Sequence, residues 1–180
     1  MILVLIVFDL FWSLAAIFVD FPKLVDIPFY LWLVVPICPI YPALLLAVWI
    51  TKLKGLKPNR FLLAFAAFPS AVLGPLAVIY YASQIYYNGF SFNDFGQIFW
   101  VLFYSIQGWY LVFREKITFW PLFCVSVYLL AKFWIDFEYG SFGYLQIKEL
   151  PGNIQVFLLL CSIVLTLGLT TYASLKKSIS

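Results

Sequence analysis

Apolar stretches long enough to cross a bilayer follow one another along this chain with little polar sequence between them. A spanning helix needs ~20 mostly apolar residues to cover a ~30 Å hydrocarbon core. Six stretches approach that length: 1–19, 29–51, 61–83, 96–113, 117–136 and 153–175. Hydrophobic residues make up 65% of the 180 positions and charged residues 11%. An ordinary soluble domain carries ~45–50% and ~25%, so a water-soluble fold of this size has nowhere to bury the surplus. The expectation is an all-α integral membrane bundle of about six transmembrane helices in a single domain, residues 1–180, with cytoplasmic N and C termini. Five helices result if the first stretch does not cross. No domain boundary, low-complexity tract or internal repeat interrupts the pattern.

The charges sort with this layout. Lysine and arginine collect on the cytoplasmic side of membrane proteins. Lys52, Lys54, Lys57 and Arg60 follow the second stretch, Arg114 and Lys116 the fourth, and Lys176 and Lys177 the sixth. Six alternating helices put all eight on one side, with Glu115 as the lone acid there. The other side receives Lys23 and Lys148, and the acids Asp20, Asp26, Asp94, Glu138 and Glu149, with Asp136 near it. Residues 1–7 lack the basic region and small-residue cleavage site of a secretory signal, and Asp9 follows at once. The first stretch is therefore expected to be a retained helix or an uncleaved anchor. Tryptophan and tyrosine favour membrane–water interfaces. Trp32, Tyr80, Tyr81, Tyr86, Tyr87, Trp134, Tyr139 and Tyr144 are expected at the outer one, and Trp49, Trp109 and Trp120 toward the inner.

In lipid, helices associate through small residues that let backbones approach. Ala64, Ala67, Ser70, Ala71, Gly74 and Ala77 recur at spacings of three and four in the third stretch, which predicts a central third helix. Gly108 offers a second close-approach point, and Ser162, Thr166 and Thr170 present hydroxyls at intervals of four. The second stretch is unusual: Pro36, Pro39 and Pro42 recur around Cys38, and the third adds Pro69 and Pro75. Each proline removes an amide donor and crowds the carbonyl one turn back. A lipid-facing helix does not tolerate that, whereas one buried in protein or lining a cavity does. The kinks either shape packing or open a ligand or ion site.

Ionisable groups at membrane depth are functional candidates by default. Asp9, Gln107, Lys132 and Asp136 fall within spans. Lys132 either pairs with Asp136, four residues on and on the same face, or reaches across helices to Asp9. With Cys38, these residues form the candidate ligand or ion site. Conversely, the chain has no histidine, the commonest metal ligand and general base. It shows no GxSxG, P-loop or GxGxxG pattern. Cys38, Cys124 and Cys161 lie far apart inside apolar runs. No metal, cofactor or disulfide is expected, and no catalytic residue stands out.

Several short segments resemble the YpjA-like family, prokaryotic multi-pass membrane proteins of unknown function. Ile27-Pro28-Phe29-Tyr30-Leu31-Trp32 followed by Pro36-Ile37-Cys38-Pro39 is similar to that family's aromatic segment and Pro-Asp-Cys-Pro motif. Ser105-Ile106-Gln107-Gly108 is similar to its Ser-His-x-Gly stretch, and Asp136-Phe137, Gly140 and Leu150-Pro151 to its later Asn-Asp-Tyr-x-Asp-Tyr and Leu-Pro. Ile37 stands where the family has an acid, Ile106 where it has a histidine, and Lys132-Phe133 near its Asn-Asp. The resemblance implies a multi-pass topology and brings no activity with it.

The leading functional expectation is a non-enzymatic accessory or assembly subunit, or a binder of a hydrophobic ligand. The alternatives are a small transporter or channel subunit with its site near the proline-rich second helix, and a lipid-modifying enzyme using Asp136 or Glu138. Expected partners are membrane lipids and either another membrane protein or a second copy of the chain. Nothing in the basic residues suits nucleic acid.

Overall fold

A computed structural model of the chain describes residues 2–24, 40–139 and 150–178, with side chains at all of these except positions 16, 19–24, 136–139 and 177–178. The described residues form six α-helices and no strand: α1 (Ile2–Leu24), α2 (Ile40–Leu53), α3 (Arg60–Asn88), α4 (Phe92–Arg114), α5 (Phe119–Tyr139) and α6 (Gly152–Ser178). Among them, α3 and α6 are long and apolar enough to cross a membrane. Ile2–Ala15, Ile40–Leu53 and Phe119–Ile135 are apolar but shorter. α4 has the length, but Asn93, Asp94, Gln97, Gln107 and Arg114 dilute its apolar content. Pro36, Cys38 and Pro39 lie outside the described residues, so the expected second helix is seen only from Ile40 onward.

Several helices overrun the stretches that hydropathy delimits. α3 continues through Gln84, Tyr86, Tyr87 and Asn88, because an established helix satisfies its own amides whether or not its side chains are apolar. It stops at Gly89, whose φ of 89° suits glycine. It starts at Asn59, whose side chain accepts from the Phe61 amide at 2.8 Å. Ser91 opens α4 by accepting from the Asp94 amide at 3.3 Å. Gly55, at φ 71°, turns the chain between α2 and α3.

α3 is the central helix, as its small residues predict: it packs against α2, α4, α5 and α6. Ala64, Ala66, Ala67, Phe68, Ala71 and Val72 are fully buried. Its tightest neighbour is α4. A methyl on Gly108 would lie 2.5 Å from the Ala71 nitrogen and 2.7 Å from the Ala67 oxygen, and one on Gly74 would collide with Ser105. Gly108 thus sits where the backbone of α3 leaves no room for a side chain, and Gly74 where the Ser105 side chain leaves none. Pro69 and Pro75 are accommodated inside the continuous α3; Pro69 is buried against protein, where a missing amide costs less than it does facing lipid. Pro42 falls in the first turn of described α2, where a helix has no internal partner for an amide.

α5 and α6 pack on each other and on α3. The hydroxyls of α6 work in both ways expected of them. Thr166 donates to the Ser162 carbonyl at 2.7 Å and Thr170 to that of Thr166 at 2.6 Å, while Thr170 also meets the Ser126 hydroxyl of α5 at 2.7 Å. At the end where α2, α4 and α6 finish, Lys52 forms an ion pair with Glu115, and Lys176 donates to the Phe113 carbonyl. These contacts gather the basic ends of three helices, as alternating helix directions require.

The glycine seam predicts an asymmetric response to one methyl. Gly108→Ala is expected to lower unfolding free energy in mild detergent by about 1–3 kcal/mol. Gly96→Ala, on the same helix with open space beside it, should be neutral or stabilising by up to about 1 kcal/mol. Equal effects in denaturation curves would contradict the seam.

Candidate functional site

Successive residues on a helix point about 100° apart. With Gly108 turned against α3, the adjacent Gln107 is turned toward α1 and α2. Its amide joins those helices: Nε2 donates to Asp9 Oδ1 at 2.8 Å, and Oε1 accepts from the Trp49 indole Nε1 at 2.5 Å. All three side chains are buried, with Asp9 at 0% exposure. One residue of α4 therefore reads a donor from α2 and an acceptor from α1. This relay also fixes the amide's orientation, since a flipped Gln107 would face the indole donor with a donor.

The relay leaves Asp9 half satisfied. Oδ2 is buried without a hydrogen-bond partner among the described residues. One turn along α1, Trp12 is 8% exposed and its Nε1 is likewise unpartnered. Ser13 is no rescue, because its hydroxyl donates to the Asp9 carbonyl at 2.7 Å. Around these groups lies a cluster of rings. Trp12 stacks on Trp100 of α4 at 4.9 Å between centroids, and Phe8 meets Trp100 at 4.6 Å and Phe103 at 3.7 Å. A carboxylate oxygen and an indole N–H thus sit buried and unsatisfied one turn apart on the helix that carries half of this ring cluster, and most buried polar groups are not left that way.

The sequence-predicted residues are only partly brought together. Asp9 and Gln107 meet. Lys132 does not pair with Asp9, which corrects that alternative: Oδ1 is taken by Gln107 and Oδ2 is unpartnered. Gln107 of α4, rather than Lys132 of α5, is the side chain delivered to Asp9; α5 reaches the α2 side through the Tyr41–Tyr128 hydroxyl contact at 3.1 Å. Lys132 is itself buried on α5, with its ammonium 5.5 Å from the centre of the Phe133 ring. Asp136 follows it on the same helix, but its side chain lies outside the described residues, as does Cys38. The Glu138 side chain lies outside them as well.

The interfacial reading of the aromatics needs revision in part. Trp49 is buried and belongs to the relay, and Tyr80 and Tyr81 are in the core, where Gln84 donates to the Tyr80 hydroxyl at 3.2 Å. Tyr86, Tyr87, Trp120 and Trp134 are exposed, as a belt requires. Trp12 and Trp100 were not marked by charge or spacing. The signal available was Trp12 standing three residues from Asp9, on the same helix face. Among the described residues no cluster of His, Cys, Asp and Glu could hold a metal. No family model, curated protein or solved structure matches the chain.

The relay makes Gln107 the costlier residue to lose. Gln107→Leu strands Asp9 Oδ1 and the Trp49 indole, and each buried unpartnered group costs about 1–3 kcal/mol. Asp9→Asn keeps an acceptor for Gln107 and should change stability by less than about 1 kcal/mol. The check is detergent unfolding of both variants, and a harmless Gln107→Leu would contradict the relay.

Proposed function

We propose that the chain is a six-span integral membrane protein with both termini on its basic, cytoplasmic side, and that it works as a small transporter or channel subunit through the Asp9 centre. The supporting observation is the free Oδ2 of a wholly buried Asp9 whose other oxygen is held by Gln107. An aspartate kept only for packing gains most when both oxygens are bonded. One that must exchange a proton or a cation needs an oxygen left open, in a place the protein holds steady. Gln107 supplies the orientation and Trp49 locks Gln107. The site lies between α1, α4 and the proline-bearing α2, which Trp49 ties to Gln107.

The six-span reading draws on the apolar surface. Leu3, Val4, Val7, Phe11, Leu14 and Phe18 of α1 are all exposed, and so are Phe92, Phe95, Phe99, Leu102, Ile106 and Phe113 of α4. Patches of that extent need lipid or another chain to cover them. The accessory-subunit reading rests on the same surface and makes Asp9 dispensable. Kinship with the YpjA-like family belongs to this proposal too; Ser105 and Gly108, which carry part of the resemblance, both lie in the seam between α4 and α3.

Proton entry into vesicles reconstituted with the protein, followed by an entrapped pH dye, tests the proposal. Flux above that of empty vesicles is expected for the natural chain, loss of it for Asp9→Asn, and partial retention for Asp9→Glu. Equal flux with Asp9→Asn would overturn the transport role and leave the accessory role standing.

A further inference from the structure

The two unpartnered groups on α1 ask for complementary things. Asp9 Oδ2 needs a donor, and a positive one best answers a carboxylate in a low-dielectric interior. Trp12 Nε1 needs an acceptor. Residues three apart on a helix have Cβ atoms ~5–6 Å from each other, so one small molecule can meet both. The surrounding rings of Phe8, Trp12, Trp100 and Phe103 offer apolar contact and electron-rich faces to a cation.

A bare metal ion fits poorly. Hard cations take six or more oxygens. Among the described residues no group of three or more His, Cys, Asp and Glu side chains gathers to hold such an ion. The site offers one strong oxygen and several rings, which is the chemistry of an organic ammonium group. We infer that this centre, read as the transport site proposed above, takes a lipophilic protonated amine: its N–H donates to Asp9 Oδ2, and an oxygen a few bonds away accepts from Trp12 Nε1.

The fold gives such a molecule a way in. The backbone of α1 packs closely on α2, whereas α1 meets α4 mainly through long side chains, a layer of rings that can part without breaking the glycine seam. Phe11 and Phe99 flank Trp100 at 6.0 and 6.1 Å and are both exposed. The aromatic cluster therefore runs from the exposed Phe11 and Phe99 to Trp12, one turn from Asp9, a route suited to a solute arriving from the membrane.

Calorimetric titration of the full chain in phosphatidylcholine nanodiscs, with empty nanodiscs subtracted, tests the inference. The probes are N-benzylethanolamine, its hydroxyl-free analogue N-benzylpropylamine, the neutral 2-(benzyloxy)ethanol, and potassium ion. Saturable binding of N-benzylethanolamine is expected, with the neutral ether weaker by at least about tenfold and potassium unable to compete. Asp9→Asn should weaken both amines by about tenfold or more. Trp12→Phe should weaken N-benzylethanolamine severalfold and leave N-benzylpropylamine unchanged. Equal affinity for the neutral ether, displacement by potassium, or no saturable amine binding to the natural chain would overturn the inference, and these results need no variant to fold. So would a Trp12→Phe effect shared by both amines. Asp9-dependent proton flux without amine binding would overturn this inference alone, while absence of both would remove the transport reading as well.

Discussion

The approach of α3 and α4 at Gly74 and Gly108 sets the rest of the arrangement. Two helices can come this close only where one of them has no side chain, and here each contributes such a position to the other's surface. The consequence reaches beyond packing. Once Gly108 is pressed against Ala67, Ser70 and Ala71, the rotation of α4 is no longer adjustable, and Gln107 must face away from α3. Its amide is thereby delivered to the one place where α1 and α2 can both use it. A rigid seam on one side of α4 thus becomes a polar relay on the other.

That relay has the form of a preorganised site more than of a structural clasp. Polar side chains between helices in lipid are modest glue, at about 0.6 kcal/mol on average, and a clasp would be strongest with every lone pair occupied. Here both ends of the Gln107 amide are engaged, while the carboxylate it holds is open on one side, one turn from an indole that is also open. The incompleteness is confined to α1 and α4, where Asp9 Oδ2, Trp12 Nε1 and Gln97 Oε1 are the unpartnered buried side-chain atoms among the described residues. Elsewhere in the interior, the hydroxyls of Ser70, Ser126, Ser162 and Thr166 all return to backbone carbonyls. The contrast singles out the α1–α4 face.

Much of the architecture could be read from residue order. The six helices, the central place of α3 and the double use of the α6 hydroxyls follow from apolar runs, small-residue spacing and helical periodicity. Asp9 and Gln107 stood out because polar groups are rare in such stretches. Their partnership did not, since nothing in a linear sequence says which of several polar residues at similar depth share a face of the bundle. Lys132 was as plausible a partner for Asp9 until the fold set Gln107 against Oδ1. Trp49 and Trp12 were harder still. A tryptophan in an apolar run reads as an interfacial anchor, and only its neighbours reveal a buried indole with a task.

In the proposed six-span arrangement the helices alternate direction across a bilayer, and Asp9 of α1, Trp49 of α2 and Gln107 of α4 reach one depth from opposite sides. Reporter tags inserted after Ser180 and between residues 140 and 148 measure this most directly. Six crossings predict that the C-terminal tag is read from the cytoplasm and the internal one from the opposite face. Finding both tags on the same side would contradict the architecture, and the Asp9 centre would lose the membrane setting that gives it meaning.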